Sequence, residues 1–454
     1  MIETGLSVRD ELVAELGSAV STLPADLEPL REDRSGRVSE GTPLALVTAR
    51  TIADVQATMR FATRHGLPVV TRGAGTGLAG AATAGPGEIV LSTLAMNEIL
   101  EINVDDELAV VQPGILNDDL NAALAPRGLW FAPDPASKAI STVGGNIATN
   151  AGGLLCAKYG VTREAVLGLK IVLADGRLMT LGHRTVKGVT GYDLTALLIG
   201  SEGTLGVIVE ATLKLRALPT GPKATIGAYF ADVEQAARAS AVITASRLRP
   251  AAMELIAQSA LTGIGEYLGL DLGSRGSYLL VQLDGGSAAA EADAAVSIIR
   301  SLGGDAEITT DEAEGERLFA IRRSFHPAMS TRGTVLIEDV AVPRSQLPAM
   351  FSAITEIERK YGIVIPTVAH AGDGNLHPNF IFDGPDVPTE VWDAADEMFL
   401  ACLRLGGTLT GEHGVGILKR RWLRDELGDD QVDLQRELKR VFDPDNLLNP
   451  GKIF

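Results

Sequence analysis

The sequence predicts a mixed α+β chain of at least two domains, on three observations. At 454 residues it is about three times the length of an ordinary single domain. Short strands alternate with helices and deliver glycine-rich loops, and no helix able to cross over a parallel sheet opens inside the first of them. At Leu218-Pro-Thr-Gly-Pro222 a breaker cluster interrupts the chain, and its texture changes beyond that point.

The first clear element is a helix over 51–66. Thr51 and Asp54 form a capping pattern, Val55, Met59 and Ala62 share one face, and Gly66 can close the end. A buried strand over 67–71 follows and runs into Arg72-Gly-Ala-Gly-Thr-Gly-Leu-Ala-Gly-Ala-Ala82. Strands are expected at 88–92 and 107–112, a helix at 116–127, and a second glycine-rich stretch at 141–153. Strands 167–173 and 177–181 read as a hairpin through Ala174-Asp175-Gly176. A third glycine set, Gly200-Ser-Glu-Gly-Thr-Leu-Gly206, leads into an alternating strand at 207–215. Past residue 218, helices at 232–247 and 288–302 alternate with strands at 277–283 and 334–342. A charged helix ending at Phe442 and the tail 443–454 close the chain.

Composition removes several function classes. With 40 basic against 58 acidic residues the formal net charge is −18, a field that repels nucleic acid and anionic lipid. The two cysteines, Cys156 and Cys402, supply no disulfide framework, no Cys-x-x-Cys zinc site and no iron–sulfur ligands, which fits a reducing compartment. No apolar run approaches the ~18 residues of a membrane span. Residues 1–10, with Glu3, Arg9 and Asp10, do not read as a signal peptide. A cytoplasmic protein without an integral membrane segment is expected.

Glycine stands out, with 50 residues. Backbone N–H groups approach a phosphate closely only where side chains are missing, so a glycine loop after a strand is a natural anion seat. Gly75-Thr-Gly-Leu-Ala-Gly80 matches the dinucleotide pattern G-x-G-x-x-G in form. Ala84-Gly-Pro-Gly87 follows too soon for the helix that a Rossmann fold would need there. Tight turns that serve packing alone remain open for any one loop.

Two short motifs hold three of the six histidines. In His370-Ala-Gly-Asp-Gly-Asn-Leu-His377 a Gly-Asp-Gly turn between two strands could fold both imidazoles toward one point. The second motif is Gly411-Glu-His-Gly-Val-Gly416. Two imidazoles and a carboxylate make the ligand set of a catalytic zinc or similar divalent site. This spacing does not fix ligands as His-x3-His on a helix would, and the turn needs no metal to exist.

Together the segments 69–82, Pro133-Asp134, 141–153, Lys158-Tyr-Gly160, 187–193 (KGVTGYD), 200–208 and the closing 443–452 resemble the FAD-binding domain of the vanillyl-alcohol oxidase type. Within it the chain is most similar to the branch of D-lactate dehydrogenase, D-2-hydroxyglutarate dehydrogenase and the glycolate oxidase FAD subunit. The resemblance implies an α+β chain with a two-subdomain PCMH-type FAD-binding domain, and a substrate (cap) domain with an antiparallel sheet. The plan is an N-terminal helical segment (1–41), the FAD domain (42–217), the cap domain (218–420), and a helix and tail (421–454) returning to the FAD domain.

Carried over by position, Arg72, Gly73, Ala74, Gly75, Thr76, Gly77 and Leu78 would surround the pyrophosphate. Pro133, Ser137, Thr142, Gly145 and Asn146 would line the dinucleotide, Gly203, Gly206 and Ile208 the adenosine half, and Asn449 would return to the flavin side. Residues 72–82 hold neither His nor Cys, so a non-covalent FAD is expected. In this branch the positions of His370, His377 and Glu412 hold a divalent metal, with zinc favoured, and His413 stands where the general base is assigned. Arg322 is the candidate partner for a substrate carboxylate, because a guanidinium binds carboxylate bidentately, although an exposed helix face explains it equally well. His326 and Asn379 are further substrate candidates.

The implied reaction takes a D-2-hydroxy acid to the 2-oxo acid by hydride transfer to flavin N5. Ile337 and Glu338 stand where D-2-hydroxyglutarate dehydrogenases place a lysine, so a monocarboxylate such as lactate or glycolate leads over a dicarboxylate. Electrons would pass to an external acceptor: a partner redox subunit, a quinone, an electron-transfer flavoprotein or dioxygen. A homodimer is left open. The alternatives are D-2-hydroxyglutarate dehydrogenase, a metal-free sugar or alcohol oxidase on the same fold, and a non-catalytic flavin subunit.

Overall fold

The structure, a computed structural model, describes residues 6–454; Glu3, and with it part of the expected N-terminal segment, lies outside the described residues. The chain divides into two compact units. One comprises the chain up to Gly152, Gly160–Leu218 and Glu412–Phe454, and the other Gly153–Tyr159 and Pro219–Gly411.

The first unit holds two principal sheets. In the four-stranded one the order is Val20–Ser21, Ala45–Thr48, Ile89–Ser92, Val69–Arg72, and its last two pairings are parallel. The helix Ile52–His65 forms where expected, with a reciprocal Thr51–Asp54 capping box and Gly66 at its end. It buries Val55, Met59, Phe61 and Ala62, and all four join Val47, Val69, Ile89 and Val207 in one core. The second sheet is antiparallel throughout, in the order Ile99–Asn103, Leu108–Val111, Val207–Lys214, Val166–Val172, Leu178–Gly182. The C-terminal tail returns to the first sheet: Leu448 bridges Val69 in parallel, and the Asn449 amide donates to the Val69 carbonyl at 2.8 Å.

The glycine-rich stretch 141–153 is not all loop. Val143–Thr149 is a helix, capped by the Thr142 hydroxyl, which accepts from the Gly145 amide at 3.2 Å, and closed by Asn150 in the left-handed region. Two glycines should cost such a helix about 1 kcal/mol each relative to alanine. Burial of Val143 and Ile147 and the cap offset that cost.

The second unit is built on an eight-stranded sheet. Seven strands run in the order Asp305–Thr309, Lys223–Phe230, Ser277–Asp284, Ala252–Ile256, Thr367–His370, Asn375–Phe382, Thr334–Ile337, and the pairings are antiparallel. The strand expected over 334–342 is broken: Val340–Ala341 pairs separately with Asn375 and Leu376, and the buried Glu338 and Asp339 occupy the break. Residues 153–159 belong to this unit, because Lys158 pairs with Asp284 and the Tyr159 hydroxyl donates to it at 2.5 Å. The unit ends at Gly411, short of the expected 420. Beyond it, Val415 and Gly416 donate their amides to the Glu202 carboxylate at 2.7 and 2.8 Å, and Ile417 donates to the Ala79 carbonyl, all within the first unit. The charged helix Leu423–Phe442 bends at Gly428. Among the described residues no helix is long and apolar enough to cross a membrane.

Candidate active site

In the first unit a cradle forms where three glycine-bearing segments and the tail meet. Strand Val69–Arg72 ends in the loop 73–82, where Arg72 donates from Nη1 to the Ala82 carbonyl at 2.7 Å. Its guanidinium lies against the α-carbon of Gly75, which has φ +68°, so a side chain there would meet both backbone strain and the arginine. Burial pushes the Arg72 pKa down, against the pull of Asp33 and then Glu32. Gly73 backs onto the Thr142 hydroxyl without room for a Cβ. A Cβ on Gly203 would stand 3.7 Å from both Thr71 and Asn449. The Asn449 side chain donates to the Ala81 carbonyl at 3.0 Å and the Glu202 carbonyl at 2.6 Å, tying first loop, third loop and tail together.

These contacts bring Arg72, Gly73, Gly75, Thr142, Gly203 and Asn449 into one place; Ala74, Thr76, Gly77 and Leu78 are half-buried members of the same loop. Gly145 and Asn146 lie on the helix that Thr142 caps. Other elements place the rest. Pro133 accepts from the Asn117 side chain at 3.0 Å, Ser137 accepts from the amides of Ile140 and Ser141, and Gly206 leads into the strand that carries Ile208 opposite Ile171. Buried Thr71 Oγ1, Ser141 Oγ, Asn146 Nδ2 and Asn449 Oδ1 have no hydrogen-bond partner among the described residues. Unmet buried polar atoms beside side-chain-free backbone fit a polar cofactor such as FAD.

A second constellation is organised by the hairpin of the second unit. Its turn has Gly374 at φ +92°, and Asn375, His377 and Asn379, two residues apart, share one face of the following strand. Across the hairpin His370 pairs with Asn375, and the rings of His370 and His377 meet edge to face at 5.1 Å between centroids. Glu412 is joined to Gly411, the unit's last residue, by a single peptide bond. His370, His377 and Glu412 offer ligand atoms within 4.8 Å of one another. Two imidazole nitrogens and one carboxylate oxygen at such range fit a divalent ion, and the mixed N/O set suits zinc.

Sequence reasoning missed what stands behind the imidazoles. Glu254 lies directly across the sheet from His370, fully buried, and its Oε1 is 2.7 Å from His370 Nδ1. Its Oε2 accepts from Arg322 Nε at 2.8 Å. Arg322, on the helix Glu312–Arg323, therefore faces a protein carboxylate with its Nε, and only its Nη groups remain for a substrate. Asp339 Oδ1 lies 3.9 Å from His377 Nδ1, and Asp339 accepts from the Asn375 side chain at 2.5 Å and from the Thr410 hydroxyl at 2.6 Å. A lone acid inside the all-buried strand Ala252–Ile256 was the available signal for Glu254. Asn379 is buried, donates to the His377 carbonyl at 3.3 Å and leaves Oδ1 without a partner among the described residues. His326 is exposed on the helix Phe325–Ser330, and His413, next to Glu412, is half-buried.

Residues 43–182 match the family model for the FAD binding domain, and residues 221–453 match that for FAD linked oxidases, C-terminal domain. The chain is 40% identical over 424 residues to the glycolate oxidase subunit GlcD of Bacillus subtilis (strain 168), covering 91% of this chain and 90% of that one. It is 36% identical to a D-lactate dehydrogenase of Archaeoglobus fulgidus, covering 88% and 89%. Among solved structures, p-cresol methylhydroxylase superimposes with a TM-score of 0.81 over 98% of this chain and 96% of that one at 17% identity, which shows the shared fold.

Proposed function

Since the chain belongs to the FAD-linked oxidases, we propose that it oxidises a small D-2-hydroxy acid, lactate or glycolate in kind, to the 2-oxo acid. The observation that carries this reading is the convergence of His370, His377 and Glu412. These three residues would hold a divalent ion, which would supply Lewis acidity to the alcohol being oxidised. FAD, bound without a covalent link in the cradle of Arg72–Leu78, Thr142, Asn146, Gly203 and Asn449, supplies the two-electron acceptor.

The residues of the chain do the rest. His413 takes the hydroxyl proton, a task suited to an imidazole because its ordinary pKa lies near neutrality. The Nη groups of Arg322 and the side chain of Asn379 hold the substrate carboxylate and so fix which face of the α-carbon is presented. The electrons leave to an external acceptor, for which a partner redox subunit is the first candidate, in keeping with the subunit status in the name of the Bacillus relative.

The test is anaerobic mixing of the purified flavoprotein with glycolate and with D- and L-lactate, following the visible flavin band before and after metal removal by a chelator. D-lactate or glycolate should bleach the band, chelation should abolish bleaching, and Zn2+ should restore it. Full reduction of chelated, metal-free protein would overturn the reading in favour of a metal-free alcohol oxidase.

A further inference from the structure

Both imidazoles of the His370–His377 pair have a buried carboxylate on their Nδ1 side, but at unequal range. For His377 and Asp339 the separation is 3.9 Å, beyond a hydrogen bond. For His370 and Glu254 it is 2.7 Å, within a charge-assisted one. The second oxygen of Glu254 accepts from Arg322 Nε, and a carboxylate ion-paired with a guanidinium in this way offers His370 acceptor oxygens only. An acceptor-only carboxylate at that range requires the proton of His370 to sit on Nδ1. The lone pair is then on Nε2, the nitrogen turned away from Glu254.

We propose that Glu254 is a positioning residue for the metal centre: it fixes the tautomer and ring orientation of His370, with Arg322 holding the carboxylate in place. This rests on the metal-dependent reading above and extends it to a residue that touches neither substrate nor flavin in that reading. The sheet makes the arrangement rigid. Glu254 and His370 are directly opposed residues of neighbouring strands, so their side chains leave the same face a few ångströms apart. The strand around Glu254 is buried along its whole length, which excludes water that could otherwise replace either partner. A histidine without such a partner would divide its population between two tautomers and several ring rotations, and binding a metal would have to select one. Outer partners of this kind typically change metal affinity by about 10–100-fold.

Arg322 therefore has two tasks. Its Nε faces Glu254, so replacement of Arg322 should weaken metal retention as well as substrate binding. A guanidinium that served the substrate alone would show only the second effect.

The experiment uses the full chain loaded with FAD. Zinc affinity is measured by competition with a chromophoric chelator for the wild type and for Glu254→Gln, which preserves shape and removes the acceptor-only character. In parallel, long-range proton–nitrogen correlation spectra of histidine-labelled, metal-free protein report which ring nitrogen carries the proton, and His370→Gln assigns the signal. With six histidines in the chain the spectrum is small. The expected results are an Nδ1-protonated His370 in the wild type, loss of that single form in Glu254→Gln, and about 10–100-fold weaker zinc binding. Affinity within twofold of wild type in a variant that keeps its flavin spectrum would overturn the proposal. An Nε2-protonated His370 in the wild type would overturn it without any need for the variant to fold. Wild-type protein that takes up no zinc would count against the metal-dependent function, a separate outcome from the tautomer that the spectrum reads.

Discussion

The cradle of the first unit and the imidazole pair of the second are built on opposite principles. In the cradle, function comes from what is missing: Gly73, Gly75 and Gly203 leave backbone bare, and a neighbour fills the room a side chain would take at Gly73 and Gly75. In the hairpin of the second unit, function comes from what is present, two imidazoles aimed from adjacent strands with buried acids behind them. The first can be destroyed by adding atoms and the second by removing them. That difference decides which substitutions inform on each.

The largest expected effect is at the cradle. Gly75→Val puts a β-branched side chain at positive φ and against the Arg72 guanidinium, so flavin should be lost while zinc is retained. Normal flavin stoichiometry in this variant would place the cofactor elsewhere. Next is His413→Asn, which should keep flavin and zinc yet slow single-turnover flavin reduction by about 10²–10⁴-fold, the usual worth of a positioned base. An unchanged rate would remove His413 from proton transfer.

A smaller effect is expected from Glu202. Burial pushes its pKa up to about 7, against the two backbone amides of Val415 and Gly416 and the charge of Lys419, with Asp33 adding to the rise. A carboxyl whose folded pKa is raised stabilises the fold most below its unfolded value of 4.5, and that contribution is lost as pH climbs toward about 7. The rise from 4.5 to about 7 corresponds to roughly 3 kcal/mol. Denaturant unfolding of Glu202→Gln at pH 5 and pH 8 should therefore show a flatter pH dependence than the wild type; equal slopes would refute the burial argument. The smallest effect is that of Asn449→Ala, which strips the carbonyls of Ala81 and Glu202 of a donor and should cost about 1–3 kcal/mol of unfolding free energy in the same assay. No change there would mean that the tail does not clamp the cradle.

Much of this was legible before any coordinates. The helix Ile52–His65 carries both its stop signals in sequence, and the strands at Ile89–Ser92, Leu108–Val111 and Val207–Lys214 follow from apolar patterning. The two histidine motifs announce themselves because imidazoles are few in this chain. The helix Val143–Thr149 was not legible, since glycine content argued for a loop and only burial of Val143 and Ile147 tips the balance. Nor was the break at Glu338-Asp339, where two buried acids interrupt a run that reads as one strand.

By itself, then, the sequence determined the α+β class, the glycine segments and the residue types able to bind a metal, because caps, periodicity and residue chemistry act over a few neighbouring positions. Only the tertiary structure decided that Glu254 stands behind His370, that Arg322 turns its Nε to that acid, and that Asn449 closes the cradle. Those pairings join residues 116, 68 and 247 or more positions apart, and strand register and burial, which set them, have no local trace.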